Sequence, residues 1–245
     1  MSMKRLLIFA LMVTVAIAAA AQGRKVQNKP YIDLRPLHFG ISIGLNVQDV
    51  EMRNVGPQVL ETGETRTVLC DADTWNPGFS VGVLADLRLS EYLALRVTPT
   101  MHFGSKRLTF HDLDNLTEGG RPTISTQDLK NTYLSVPVDI KYSAQRFNNY
   151  RPYILAGVAP MINLSDKDQD FVQLNRFDTM VEVGLGCDFY LPFFKLIPEL
   201  KFCYSLTNAL NKKHSDELTD VNKRVFSNSV DQSMSKMVVL TLYFE

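Results

Sequence analysis

Eight segments of the chain alternate apolar and polar residues with a period of two, the pattern of a strand whose successive side chains point to opposite faces. The clearest is Val181 to Tyr190. Val181, Val183, Leu185, Cys187 and Phe189 share one face, and Glu182, Gly184, Gly186, Asp188 and Tyr190 share the other. A helix would scatter both sets around its circumference, and two interior glycines would weaken it further. The same alternation predicts strands over 39–48, 79–88, 93–102, 134–142, 196–204 and 237–245, with 153–162 more weakly patterned. Pro99, Pro137, Pro160 and Pro198 fall inside these segments. Each removes a ladder donor, so bulges or local breaks are expected there.

The connections alternate as well. Long polar stretches cover 49–76, 104–130, 163–176 and 207–233, while the joins near Ser90, across 145–151 and at Leu191-Pro192-Phe193 are short. In an up-and-down meander, odd connections share one end and even connections the other. Outer-membrane barrels carry short turns on the periplasmic side and long loops outside. The expected architecture is all-β: an eight-stranded antiparallel up-and-down transmembrane β-barrel with long outer loops, its barrel domain spanning 38–245. Both termini then sit at the short-turn, periplasmic end.

Period two does not say whether the apolar face points inward, as in a soluble lipocalin-like barrel, or outward to lipid. Three features favour lipid outside. The polar face carries opposite charges in mid-strand: Asp86, Arg88, Arg96, Asp139, Lys141, Glu182, Asp188, Glu199 and Lys201. A small eight-stranded lumen is filled by side chains, and a structural network of paired charges suits it. The loop alternation fits the membrane topology. Aromatic residues recur near strand ends (Phe39, Tyr92, Phe103, Tyr142, Tyr153, Tyr190, Phe244), where interfacial girdles form.

Composition narrows the function. Lys and Arg number 26 against 26 Asp and Glu, without the basic excess that nucleic acid requires. Three cysteines make no disulfide framework, and no CxxC or Cys/His cluster suggests zinc. Residues 1–21 read as a signal peptide: Lys4 and Arg5, then 16 uncharged residues from Leu6 to Ala21, ending in Ala19-Ala20-Ala21. Sixteen residues fall short of a spanning helix, which needs about 20. No cysteine follows the small-residue site, which argues against a lipoprotein. Export leaves 24 basic and 26 acidic side chains, and a periplasmic N-terminal segment over 22–37.

Three stretches carry a resemblance. They are Asp33 to Asn46 (DLRPLHFGISIGLN), Tyr133 to Tyr142 (YLSVPVDIKY) and Arg151 to Gly157 (RPYILAG). Together they resemble the PorT-type outer-membrane β-barrel family of Bacteroidetes, over essentially the whole mature chain. The second and third motifs recur across the broad barrel family, while RPLHFGISIG is similar to the narrower group. The resemblance implies a component of the type IX secretion system, which exports C-terminally tagged proteins such as proteases, with gliding-motility adhesins as further cargo. It carries no catalytic, cofactor-binding or metal-binding motif. One departure from the common outer-membrane pattern is that the aromatic Phe244 is penultimate.

Other chemistry is weaker. His102 falls on the lumen parity with Ser105 and His111 nearby, but no GxSxG or comparable signature accompanies it, so a lumen hydrogen-bonding role is the simpler expectation. His38 and His214 have no metal-ligand neighbour at useful spacing. Asp166, Asp168 and Asp170 lack the glycine and terminal glutamate of a calcium loop. They read as a solvated outer loop able to bridge to lipopolysaccharide through divalent ions. Trp75 is expected to anchor the outer rim. Cys187 faces outward and Cys203 inward by parity, and Cys70 lies in a loop, so all three are expected to be free thiols. Three function classes follow: a non-enzymatic secretion-machine component contacting other machinery subunits, a general envelope barrel for integrity or adhesion, and a lipid A-modifying enzyme. The expected surroundings are outer-membrane lipid and lipopolysaccharide, with no nucleic acid and no cofactor.

Overall fold

The computed structural model describes residues 26–59, 63–72, 76–116, 120–165, 173–211 and 221–245. The expected signal peptide, Trp75, Asp166, Asp168, Asp170 and His214 lie outside the described residues. Twelve strands are assigned: β1 (Leu37–Asn54), β2 (Pro57–Val59), β3 (Thr65–Ala72), β4 (Pro77–Arg88), β5 (Leu93–Val97), β6 (Thr100–Leu116), β7 (Pro122–Ser135), β8 (Val138–Ser143), β9 (Tyr150–Asn163), β10 (Phe177–Tyr190), β11 (Lys195–Ser205) and β12 (Val230–Phe244). A 3-10 turn (Ile32–Leu34) precedes them, and one short helix, α1 (Val221–Asn228), precedes β12.

Among the described residues, eleven of these segments trace eight strand paths, and the short β2 pairs β3 alone. β3 and β4 both run antiparallel to β6, so they form one path, as do β5 with β6 and β7 with β8. Every neighbouring pair is antiparallel, and the ring closes where β12 pairs β1, from Ile41 opposite Phe244 to Asn54 opposite Val230. Closure leaves no sheet edge, the condition for a strand-built wall in hydrocarbon.

The prolines act more gently than expected. Assigned strand lapses at Thr98–Pro99 and Val136–Pro137, yet the register is unchanged across both: Ala85 pairs Val97 and Gly82 pairs Thr100, while Val97 pairs Val138 and Thr100 pairs Ser135. Each of these two prolines withholds its donor but keeps its acceptor. The Pro99, Pro137 and Pro160 carbonyls accept from Val83, Thr98 and Val136 at 3.0, 3.2 and 3.0 Å. Pro160 and Pro198 lie within continuous strands. None of the four makes a bulge.

The larger correction concerns the stretches expected to be loops. Residues 104–130 are mostly strand: β6 and β7 form a hairpin paired continuously from Thr100 opposite Ser135 to Asp112 opposite Thr123. Much of 49–76 is strand as well, since β1 runs on to Asn54 and β3 pairs the upper part of β6. These extensions rise beyond the apolar belt and enclose a second core of Val68, Cys70, Leu108, Phe110, Leu174, Leu210, Phe226 and Val230. Helix α1 packs onto it through Val225 and Phe226, whose ring meets Phe110 edge-on at 5.6 Å. Cys70 is thus a buried strand residue of this cap, not a loop thiol. None of the three cysteines is in a disulfide.

The orientation of the faces follows from exposure. Phe39, Ile41, Ile43, Leu45, Val83, Ile140, Ile154, Val183, Leu185 and Leu240 are exposed around the ring, Ile41 at 65%. A continuous apolar girth of this kind is foreign to a soluble monomer and fits lipid. The charged face points inward. Two expected girdle residues do too: Tyr153 (4% exposed) and Tyr190 (1%) fill the lumen, while Phe39, Tyr92 and Tyr142 remain outside.

Candidate functional site

The lumen is a stack of layers, and its lower half is built on Arg96, which is fully buried. Its fork engages Asp86 in two parallel bonds, Nε to Oδ1 at 2.7 Å and Nη2 to Oδ2 at 2.8 Å. Nη1 donates to the Tyr153 hydroxyl at 3.1 Å and to Glu199 Oε2. The guanidinium also lies over the Tyr153 and Tyr243 rings, 5.0 and 5.3 Å from their centroids. A planar cation that bonds at its edge and stacks on its face is suited to a narrow interior, where lysine would be a poor substitute.

The other charges complete two adjoining clusters. Lys141 Nζ donates to both Asp188 oxygens at 3.1 and 3.0 Å and stands 3.6 Å from Asp86. Lys201 Nζ donates to Asp139 at 2.8 Å and Glu182 at 2.6 Å and lies 3.6 Å from Glu199. Five carboxylates thus face three cations. Tyrosine hydroxyls make up part of the difference: Tyr153 and Tyr243 donate to Glu199 at 2.6 and 2.8 Å. Gly186 makes this possible, because a side-chain carbon there would overlap the Tyr153 ring. Of the nine charges read on the polar face, Arg88 stands apart. It is half-buried at the rim and donates to the Ser90 carbonyl at 3.2 Å.

The short-turn end adds groups that sequence reasoning missed. Lys195, the first residue of β11, pairs with Glu245, whose Oε1 lies 2.6 Å from His38 Nδ1. Burial by itself raises the Glu245 carboxyl, but the His38 hydrogen bond and the Lys195 charge outweigh it and hold the group below its ordinary value. Residues 26–36 lie as a strap under this end. Tyr190 donates to Asp33 at 2.7 Å, Arg146 reaches Asp33 at 3.3 Å, and Asn28 is bonded to Asn149 and to the Tyr190 carbonyl. Lys195 and Glu245 were legible as a parity match to Glu199 and to Tyr243. The strap has no period, and its contacts with Asn149, Arg146 and Tyr190 follow from no pattern in the sequence.

Above the charges, His102 is buried between two hydroxyls: Ser80 Oγ is 2.8 Å from Nδ1 and Ser135 Oγ 3.0 Å from Nε2. Ser80 also accepts from Asn46 at 2.8 Å. Ser105 and His111 are on the opposite parity, and no carboxylate bonds the imidazole among the described residues. A nucleophile-activating histidine needs an orienting acid and a reachable serine. This one is satisfied on both sides by structural hydroxyls. Met161, Met180, Met237 and Cys203 pack nearby and close the middle of the lumen.

Comparison with known proteins agrees with this architecture. A family model described as outer membrane protein beta-barrel domain matches residues 20–211. Among solved structures, the chain is similar to the outer membrane protein OprG from Pseudomonas aeruginosa, with 12% identity over 90% of this chain and 97% of that one and a TM-score of 0.52. Neisserial surface protein A gives 12% identity over 85% and 98% with a TM-score of 0.42. The attachment invasion locus protein Ail of Yersinia pestis, solved with a heparin analogue, gives 14% over 84% and 96% with 0.34. No curated protein matches the chain.

Proposed function

The chain belongs to the outer membrane protein β-barrel domain family, and from that premise we propose that it is a non-enzymatic component of the type IX secretion system, required for export and maturation of C-terminally tagged proteins. The observation that carries the mode of action is the filled lumen. Arg96, Tyr153, Glu199, His102 and the methionine layer leave no continuous aqueous path for a folded cargo. A barrel whose lumen is filled in this way acts by contact, through its two elaborated ends. The secretion assignment itself is supported by the resemblance of Arg35 to Gly44 to the PorT group. On this reading the strap and the short turns face the periplasm, where other machinery subunits are met. The cap faces outward, among lipopolysaccharide.

The test is a clean deletion followed by fractionation. Unprocessed tagged proteins are expected to accumulate in the periplasm and to be released again on complementation. Normal secretion with altered lipid A or envelope integrity would overturn the proposal in favour of an envelope barrel. His102→Ala separates the enzymatic reading: it is expected to restore secretion fully, whereas a lipid A-modifying enzyme would lose its phenotype while still assembling.

A further inference from the structure

Between the methionine layer and the apolar cap lies a level of buried polar side chains whose hydrogen-bonding capacity is unmet. Lys106 projects into it from β6 and is 3% exposed. Its ammonium lies 5.6 Å from the Tyr133 ring centroid, and no carboxylate among the described residues comes within ion-pair distance. Asp178 and Asp49 are the acids whose charge reaches it, and neither stands within ion-pair distance. Asp178 Oδ1 accepts from Ser205 and Thr207 at 2.6 Å each, and Asp49 Oδ1 accepts from the Val50 amide at 2.8 Å.

Asn131 sits beside it on β7, opposite Gly104, at 1% exposure, and neither atom of its amide has a partner. Gln48 lies over Gly104, where a side-chain carbon would come within 2.9 Å of its Nε2, and its Oε1 is likewise unpartnered. Ser235 Oγ completes the group, one inward position above Gln48 across the β1–β12 pair. Val50 and Leu108 close the level on one side and Tyr133 and Met237 on the other, all buried.

An amide buried without a partner is costly, and an ammonium buried without an ion-pair partner is costlier. Water would satisfy the first but brings no charge into contact with the second. An ammonium, an amide N–H pair and a hydroxyl gathered at one enclosed level are the donors that hold an anion. We infer that the upper lumen holds a small inorganic anion of the halide class between Lys106 and Asn131. Ser235 donates to it. The closed apolar walls favour a compact ion over an organic acid.

The full-length protein, crystallised from detergent in sodium bromide, tests this by anomalous scattering. A bromide peak in contact with Lys106 Nζ and Asn131 Nδ2 is expected, and its loss in Lys106→Met. Should that variant fail to fold, Asn131→Leu is read in the same way. Water density without anomalous signal at this position would overturn the inference, as would a peak that persists unchanged in the variant.

Discussion

At the scale of single residues, the lower lumen depends on Arg96 more than on any other side chain. Its removal leaves Asp86 and Glu199 buried with too little positive charge, a situation that costs about 3–5 kcal/mol. Arg96→Met is therefore expected to lower the unfolding free energy of the detergent-solubilised protein, read from denaturant titration, by that amount, and a loss under about 1 kcal/mol would mean the acids find other partners. Gly186→Val forces the Tyr153 ring aside, and the overpacking is expected to cost about 1–3 kcal/mol by the same measurement. At the short-turn end, Glu245 is a carboxyl held below its ordinary value, so its ion pairs stabilise the fold at pH values above the unfolded carboxyl's, about 4.3. That contribution fades as pH falls through the folded value. The thermal midpoint of wild type should exceed that of Glu245→Gln at neutral pH, and the gap should close below about pH 4. Many of these residues were legible: period two put Asp86, Arg96, Asp139, Lys141, Glu182, Asp188, Glu199 and Lys201 on one face. Tyr190 was legible too, sharing parity with Glu182 and Asp188. Its aromatic character suggested the interface, but its hydroxyl had a partner in Asp33, which no sequence pattern indicates.

At the scale of elements, all eight strand cores were visible in the sequence, and their upper extensions were not. The reason is that alternation reports a sheet with one polar and one apolar side. In β6 above the belt, Lys106, Leu108, Phe110 and Asp112 are all buried, while of the positions between them Arg107 is exposed, Thr109 buried and His111 half-buried. Both faces are mixed, so the period disappears although the hairpin continues. The cap is also the element most separable from the wall. Phe110→Ala removes the ring that meets Phe226, and its cost, about 3–5 kcal/mol, falls on the cap rather than on the belt. Limited proteolysis in detergent is expected to cut the cap segments at least about tenfold faster in this variant. The shift between folded and boiled protein on a gel should remain. Loss of that shift would show that cap and belt unfold as one unit.

At the scale of the whole molecule, the filled lumen and apolar girth make a plug-like body in the membrane. Reconstituted in a planar bilayer, it is expected to give no stable open-channel conductance, and a steady ohmic current would show that the layered interior parts. One consequence of the ring concerns time. β1 is among the first strands to be made and β12 the last, yet they share an unbroken run of partners from Ile41–Phe244 up to Arg53–Gln232. Lys195, Glu245 and His38 fasten the same join at its lower end. Without residues 230–244 the remaining strands would form a sheet with both outer edges bare, a state that hydrocarbon does not tolerate. The join of β1 to β12 is thus a clasp: the rest of the wall has a place in a bilayer only once the two ends of the chain have met.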